Sequence, residues 1–278
     1  MGIGLVLALT AAFAYGASDF VGGTGSRRHS PWAVVLIGQV CGAALMIACG
    51  LVARADPRAA DFAWALLAGA GSATGSIFLY RGLARGRMGL VAPVSAVGAA
   101  VLPVLVGVAL GERPSWLAWL GVLVALPGIW LVSRGSTPLA SGTRGALVDG
   151  LAAGAGFGVL FIALGQVSRD AGFLPLAANQ LFGAAVTVAA AAVLGQDWRP
   201  RHGVLPWGGA SGALGAAGTL TFLLSTHVTD LGVAAVLTSL YPAVTVVLAY
   251  FALGERLGGG QRIGIGICTL AVATLAIG

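Results

Sequence analysis

The sequence predicts an all-α membrane protein with ten transmembrane helices, arranged as two inverted five-helix repeats. Three observations predict this fold: an apolar composition, ten apolar stretches of spanning length, and a segment that recurs about half the chain apart. Hydrophobic residues make up 58% of the 278 residues and charged residues 9%, whereas ordinary soluble domains carry about a quarter charged residues. Such a chain cannot cover a water-facing surface, so we expect a multi-pass protein in a lipid bilayer.

The ten apolar stretches are long enough to cross a membrane as helices. Crossing the ~30 Å hydrocarbon core takes about 20 mostly apolar residues, and they must be helical because lipid offers backbone groups no other partner. The first stretch lacks the basic start of a secretory signal and is longer than a signal's apolar region, so we interpret it as a span. The predicted spans lie near residues 3–22, 31–53, 62–80, 89–110, 115–133, 145–166, 173–194, 205–226, 232–252 and 260–277.

A repeated segment divides the chain into halves. With an offset of 143, residues 89–113 align without gaps on 232–256, and both segments end in ALGER. The same offset pairs Trp64 with Trp207 upstream. A register shared over this length indicates duplication more strongly than coincidence between apolar helices.

The predicted repeats, residues 1–134 and 145–278, each hold five spans. Because five is odd, the second copy enters the membrane reversed. In the first half, the loops after spans one and three carry five arginines and those after spans two and four carry three; the equivalent loops of the second half carry one and four. This reversal is what an inverted repeat requires. Over all loops the split is eleven against four, and the positive-inside rule then puts the arginine-rich loops in the cytoplasm and both termini outside.

Three motifs carry a resemblance to a known family: AYGASDF at 14–20, LYRGLARGRMGLVAPVSAV at 79–97, and ALGERPS with its echo ALGERLG. On these motifs and the five-plus-five arrangement, the whole chain resembles the drug/metabolite transporter (DMT) superfamily in its ten-helix form with two EamA domains. The resemblance implies secondary transport of small metabolites or drug-like molecules across the plasma membrane by alternating access, with proton coupling or exchange both open. It implies a cavity lined mainly by spans one, three, four, six, eight and nine. Many members have cytoplasmic termini, which conflicts with the arginine count and leaves the orientation open.

Asp19 is the candidate acid of the transport site. It lies about 24 Å along span one from Ile3 at a 1.5 Å rise per residue, and its repeat counterpart is Phe161. The fold therefore does not require an acid there. Some four-helix members of the superfamily carry an essential carboxylate in the first span, and Asp19 is similarly placed. One hypothesis is a cavity carboxylate that exchanges protons or cationic substrate; the alternative is an exposed Asp at a helix end, before a flexible Gly22-Gly23.

Prolines point to the rest of the site. Pro93 and Pro103 in span four and Pro242 in span nine are expected to interrupt helices at equivalent places in the two halves, which is typical of transporter binding sites. Hydroxyls and aromatic rings near these breaks could serve freed carbonyls or a ligand. The candidate substrate-binding residues are Asp19, Tyr15, Ser76, Tyr80, Pro93, Ser95, Thr221, Thr238, Ser239, Tyr241 and Pro242.

Other polar groups inside the spans are candidates of lower rank. Gln39 and the pair Asn179-Gln180 could bind substrate, but such amides more often bridge neighbouring helices. In the ALGER motifs, Gly111 and Gly254 suit left-handed helix C-termini. The Glu and Arg that follow each glycine are expected to lie hydrated at the membrane interface.

The sequence gives weaker support to other classes of function. It has no Lys for a Ser–Lys dyad or a Walker A motif, no HExxH, and three scattered histidines, so we predict no catalytic residue, no metal site and no cofactor. Arginines dispersed between apolar runs do not form a nucleic-acid-binding face. The expected partners are a small-molecule substrate, a proton in the coupled case, and lipid. A membrane enzyme or a channel is the alternative, and the oligomeric state is not predicted.

Overall fold

The computed structural model describes residues 2–52, 55–84, 88–133, 143–254 and 258–277, and the described ranges contain helices and no strand. A 3-10 turn at Arg169–Ala171 joins the sixth and seventh helices. The α-helices are α1 (Gly2–Ser26), α2 (Pro31–Val52), α3 (Ala59–Ala84), α4 (Met88–Ala109), α5 (Trp116–Ser133), α6 (Thr143–Leu164), α7 (Leu174–Val193), α8 (Val204–Thr226), α9 (Leu231–Thr238), α10 (Tyr241–Leu253) and α11 (Gly259–Ile277).

These helices confirm the predicted all-α membrane fold. Six described segments are long and apolar enough to cross a membrane by length and composition: α1, α2, α3, α6, α7 and the combined α9–α10. The ninth predicted span is broken into α9 and α10, whereas the other nine are each one helix. The junction between the predicted repeats, residues 134–142, lies outside the described residues.

Equivalent helices of the two halves pack against each other in opposite directions. In the α2–α7 pair, Gln39 contacts Gly183 while Gly50, further along α2, contacts Leu174 at the start of α7. In the α5–α11 pair, Gly121 contacts Leu275, and the other end of α5 packs near the start of α11. Two copies of one unit can meet in this way only if one of them is turned over, so the repeats are inverted.

The other extensive helix–helix contacts cross between the halves in matched pairs. Helix α1 packs antiparallel on α8, as its counterpart α6 packs on α3. Helix α4 runs parallel to α6, as α10 runs parallel to α1. Each half therefore completes the packing of the other, and the described chain forms one bundle.

Small residues make these crossings close. The Gly212 Cα lies close to the backbone of Gly38 where α8 crosses α2. At the matched place in the other half, Gly69 of α3 lies against the backbone of Asn179 on α7. Glycine has no Cβ, so it allows two backbones to approach at distances that any other residue would block.

The helix directions define two sides of the bundle. On the arginine-rich side, α1 ends at Ser26 and α8 begins at Val204; on the N-terminal side, α1 begins at Gly2 and α8 ends at Thr226. Arg81, which we expected in a loop, belongs to the last turn of α3 and pairs with the buried Asp149 of α6.

Two expectations about helix breaks are wrong. Helix α4 continues through both Pro93 and Pro103, because a proline removes one backbone hydrogen bond but need not end a helix that neighbours support. Helix α1 continues through Gly22 and Gly23, both buried. Asp19 is therefore seven residues inside α1, away from its end.

The ALGER motif is structural, but its glutamate has a role that we did not expect. Gly254 ends α10 in the left-handed conformation with φ 67°, and Gly111 has φ 100°. The Glu112 carboxylate accepts hydrogen bonds from the backbone amides of Leu231 at 2.6 Å and Gly232 at 3.2 Å. It thereby caps the N-terminus of α9 in the other half instead of remaining hydrated, because those amides have no partner within their own helix. Glu255 and Arg256 lie outside the described residues.

Candidate functional site

A cavity of about 70 Å³ lies between the two halves, on the arginine-rich side of the bundle centre. Its walls come from α1, α2, α3, α6, α7 and α8, so spans one, three, six and eight line it as the family resemblance implies. Spans two and seven replace four and nine on its walls. The lining residues are Tyr15, Ser18, Asp19, Val34, Val35, Gly38, Gln39, Ser72, Ser76, Tyr80, Phe157, Leu160, Gln180, Ser211, Gly212, Gly215 and Thr219.

Asp19 is the charged residue of this lining, among the residues that the structure describes. Its side chain is partly exposed, while neighbouring Ser18 is buried. Tyr80 of α3 lines the cavity together with Asp19 and is only 4% exposed. A carboxylate held between helices is costly in a membrane and is usually functional.

Hydroxyl groups fix the helices around Asp19. Ser18 and Ser211 each donate to the backbone carbonyl of the other, at 2.8 and 3.1 Å, and their Oγ atoms lie 3.1 Å apart. The Tyr80 hydroxyl lies 3.3 Å from the Ser211 Oγ. Gly22 makes room for Tyr80, since a Cβ there would meet its hydroxyl at 2.3 Å. The acid is thus held where α1, α3 and α8 meet.

Aromatic rings close the cavity toward the N-terminal side. The Tyr15 hydroxyl is 3.0 Å from the Thr219 Oγ1, and its ring packs 6.0 Å from that of Phe161. Phe161 stacks on Phe222 at 4.4 Å. Together with Leu160, Leu164 and Leu223, these two phenylalanines form a fully packed cluster, here called the apolar plug.

The polar end of the cavity and the apolar plug are repeat equivalents with opposite chemistry. Asp19 corresponds to Phe161, Tyr80 to Leu223 and Ser18 to Leu160. The inverted repeat therefore builds the same arrangement twice, once polar and hollow and once apolar and filled. In this conformation the cavity lies on the arginine-rich side, and the plug separates it from the N-terminal side.

The candidate residues of spans four and nine lie behind the cavity wall. Ser95, Thr238 and Ser239 are fully buried, and the Ser95 and Ser239 hydroxyls lack a hydrogen-bond partner in the described chain. Tyr241 is 5% exposed and packs edge-on against Phe157, with ring centroids 6.3 Å apart. Phe157 itself lines the cavity, so Tyr241 lies in contact with the cavity wall without being part of the lining.

The other candidates divide into residues at the site and residues away from it. Ser76 lines the cavity with Asp19, Tyr15 and Tyr80. Thr221 is not brought to it; its hydroxyl donates to the carbonyl of Ala217 at 2.8 Å within α8, as Thr does in membrane helices.

The two proline candidates do not line the cavity either. Pro242 is buried in the first turn of α10, where a missing amide hydrogen is tolerated. The side chain of Pro93 lies outside the described residues. Of the two predicted breaks, the structure therefore contains the one in span nine.

Sequence reasoning underrated Gln39 and Gln180, which both line the cavity. We expected them to bridge helices, and Gln39 does accept a hydrogen bond from Thr187 of α7 at 3.0 Å. Its Nε2, however, has no partner in the described chain. The available signal was a second repeated pattern, Q-x-x-G-A-A, at residues 39–44 and 180–185.

The described part of the chain offers no group of three metal-ligating side chains. The cavity instead combines one acid, two amides, hydroxyls and aromatic rings. These groups can hold a small polar or cationic molecule by hydrogen bonds and contact with ring faces.

Comparison with known proteins identifies the family of the chain. A family model described as the EamA-like transporter family matches residues 2–134 and again 145–277. The chain therefore belongs to the EamA-like transporter family of the DMT superfamily, with an EamA match in each half. It is a multi-pass membrane protein of a transporter family.

The other comparisons concern the fold. Among curated proteins, none matches the sequence. A solved crystal structure of another protein is similar, with a TM-score of 0.73 and 19% sequence identity over 99% of this chain and 96% of that one. At this identity the likeness shows a shared fold.

Proposed function

We propose that this protein is a secondary transporter that moves small metabolites or drug-like molecules across the plasma membrane by alternating access. Asp19 is the group that binds a cationic part of the substrate or a coupling proton. The observation that carries the proposal is a carboxylate in a cavity between two inverted halves, with an apolar plug at the equivalent place on the other side.

The transport cycle follows from the inversion. In the second end state, the halves rock so that the plug side opens and the Asp19 side closes. The present cavity is smaller than a typical ligand pocket of about 300–1,000 Å³. The helices around it must therefore separate to admit substrate, and the close glycine crossings allow small sliding movements.

Asp19 gains its role from its surroundings. Moving a carboxylate through the apolar interior is unfavourable unless its charge is neutralised by a proton or a cation. A carrier that closes only over a neutralised Asp19 would couple movement to that ligand. Both proton-coupled transport and exchange depend on this neutralisation of Asp19 before the carrier closes.

Reconstituted protein tests the proposal. A thermal-shift screen of metabolites on purified protein identifies ligands, since a ligand that binds the native state raises its melting temperature. Uptake of each hit is then measured in proteoliposomes with and without a pH gradient. We expect saturable uptake that Asp19→Asn abolishes, while Asp170→Asn, an exposed loop control, leaves it unchanged.

Three results would contradict the proposal. Full uptake by Asp19→Asn with normal protein yield would remove Asp19 from the mechanism. Non-saturating currents would indicate a channel, and turnover of a lipid would indicate an enzyme.

The orientation needs a separate measurement. On the arginine count, the arginine-rich side faces the cytoplasm and the cavity faces inward. A cysteine introduced at Gln196, in an exposed loop on that side, should resist a membrane-impermeant maleimide in intact cells, while one at Asp170 should react. The opposite labelling would reverse the orientation.

A further inference from the structure

We propose that Gln39 and Gln180 form a substrate-binding amide pair, and that the substrate is a small organic amine with a second, uncharged hydrogen-bonding group. This inference rests on the proposed function, with Asp19 binding the amine. It adds the part of the substrate that lies across the cavity from that acid.

The two glutamines occupy equivalent positions. The repeated Q-x-x-G-A-A pattern aligns Gln39 with Gln180 and Gly42 with Gly183. Each amide packs on the glycine of the opposite half: a Cβ added to Gly183 would lie 2.7 Å from the Gln39 Nε2, and one added to Gly42 would lie 2.8 Å from the Gln180 Nε2. This exchange of contacts places the pair across the pseudo-two-fold axis, where antiparallel α2 and α7 meet.

The Gln39 amide has hydrogen-bonding capacity that the described chain does not use. Gln39 is 5% exposed and Gln180 is 7% exposed. The Gln39 Oε1 accepts from Thr187 at 3.0 Å, which holds the side chain in place, yet its Nε2 has no partner in the described chain. A buried amide hydrogen without an acceptor is unfavourable, so a cavity ligand that supplies the missing hydrogen bond is favoured.

Because the two glutamines lie at the axis, they can contact the substrate in both end states, which Asp19 cannot do. Rocking of the two halves exchanges the polar and plug ends but moves groups on the axis least. The counterpart of Asp19 is Phe161, so the charged contact exists on one side only, whereas an amide faces the substrate from either half. The amide contact can therefore persist while the charged end is released.

Matched ligands and near-isosteric variants test the inference. The probes are propylamine, 3-amino-1-propanol and 3-aminopropanamide, which share an amine and differ in the second group. We expect the alcohol and the amide to raise the melting temperature of the wild-type protein more than propylamine does. Gln39→Met and Gln180→Met keep the side-chain volume and remove the hydrogen bonds; each should weaken binding of the two polar probes roughly 2–10-fold, the effect of one neutral hydrogen bond, and leave propylamine unchanged.

The outcomes separate this inference from the proposed function. If both methionine variants bind the polar probes as wild type does, the amide pair is refuted and the Asp19 site stands. If Asp19→Asn binds all three probes normally, the proposed role of Asp19 is refuted. If no probe shifts the wild-type melting temperature, the amine substrate inferred here is refuted, while proton binding by Asp19 is decided by the uptake assay with and without a pH gradient. A purely structural role would lower the stability of the methionine variants without changing the difference between probes; should one variant not fold, the other carries the test because the positions are equivalent.

Discussion

Gly212→Ala should separate two helices at the wall of the cavity. A Cβ on Gly212 would lie 2.0 Å from the backbone oxygen of Gly38 and 2.6 Å from its Cα. Ordinary contact begins at 3.4 Å, and no flexible side chain is there to move aside. Helices α2 and α8 must therefore part by roughly 1 Å, and overpacking of this kind costs about 1–3 kcal/mol or more.

This loss of stability is measured by heating the protein in detergent and recording the fraction that stays monodisperse at each temperature. The matched control is Gly209→Ala in the same helix, where the added Cβ would meet only the Cys41 Sγ at an ordinary 3.7 Å. Inversion adds a second expectation: Gly69→Ala, the repeat equivalent, would place a Cβ 2.3 Å from the Asn179 carbonyl oxygen and should destabilise similarly. If the Gly212→Ala and Gly209→Ala variants have the same melting temperature, the close crossing is refuted.

Three further predictions use the same assay. Glu112→Ala removes the cap of α9 and should lower the free energy of unfolding by about 1–2 kcal/mol. Arg113→Ala, at an exposed neighbouring residue, should lower it little. Equal melting temperatures of the two variants would exclude the cap. Asp149→Asn removes the carboxylate that pairs with Arg81 and should lower the free energy of unfolding by about 3 kcal/mol or less, because 25% of the Arg81 side chain is exposed. The double variant Arg81→Leu/Asp149→Leu should recover most of this loss. If it recovers none, the pairing is refuted. Burial lowers the pKa of His227, so the unfolded state binds a proton more readily than the folded state. Stability should therefore fall as the pH drops below about 6.5. His227→Gln should flatten this pH dependence of the melting temperature; an unchanged dependence would mean that another group causes it.

The fold could be predicted from sequence because it depends on local and repeated patterns. Apolar length determines where spans fall, and an odd number of spans in each copy determines the inversion. The break in span nine was harder to predict. Pro103 interrupts nothing, whereas the break before Pro242 lies where a capped short helix, α9, enters from the N-terminal side.

The cavity could be predicted only in part. Tyr15, Asp19, Ser76 and Tyr80 were candidates and line it, because polar residues in an apolar helix stand out. Which helix faces turn inward is not visible in helices that are apolar all round, since no periodicity distinguishes lipid from protein. The amides of spans two and seven were therefore interpreted as bridges. The Glu112 cap was missed because it joins residues about 120 positions apart.

If the protein alternates between two end states as proposed, the mismatch between Asp19 and Phe161 also affects the relative stability of those states. Two identical inverted halves would have end states related by a two-fold rotation and of equal energy, each occupied half of the time. Positions where the two halves differ remove this equality, and in the proposed cycle the Phe161–Phe222 stack would stabilise the state described here. In the proposed cycle, Phe222→Ala should therefore shift the relative populations of the two end states and change the rate of turnover, while the gradients of substrate and coupling ion still set the net direction of transport.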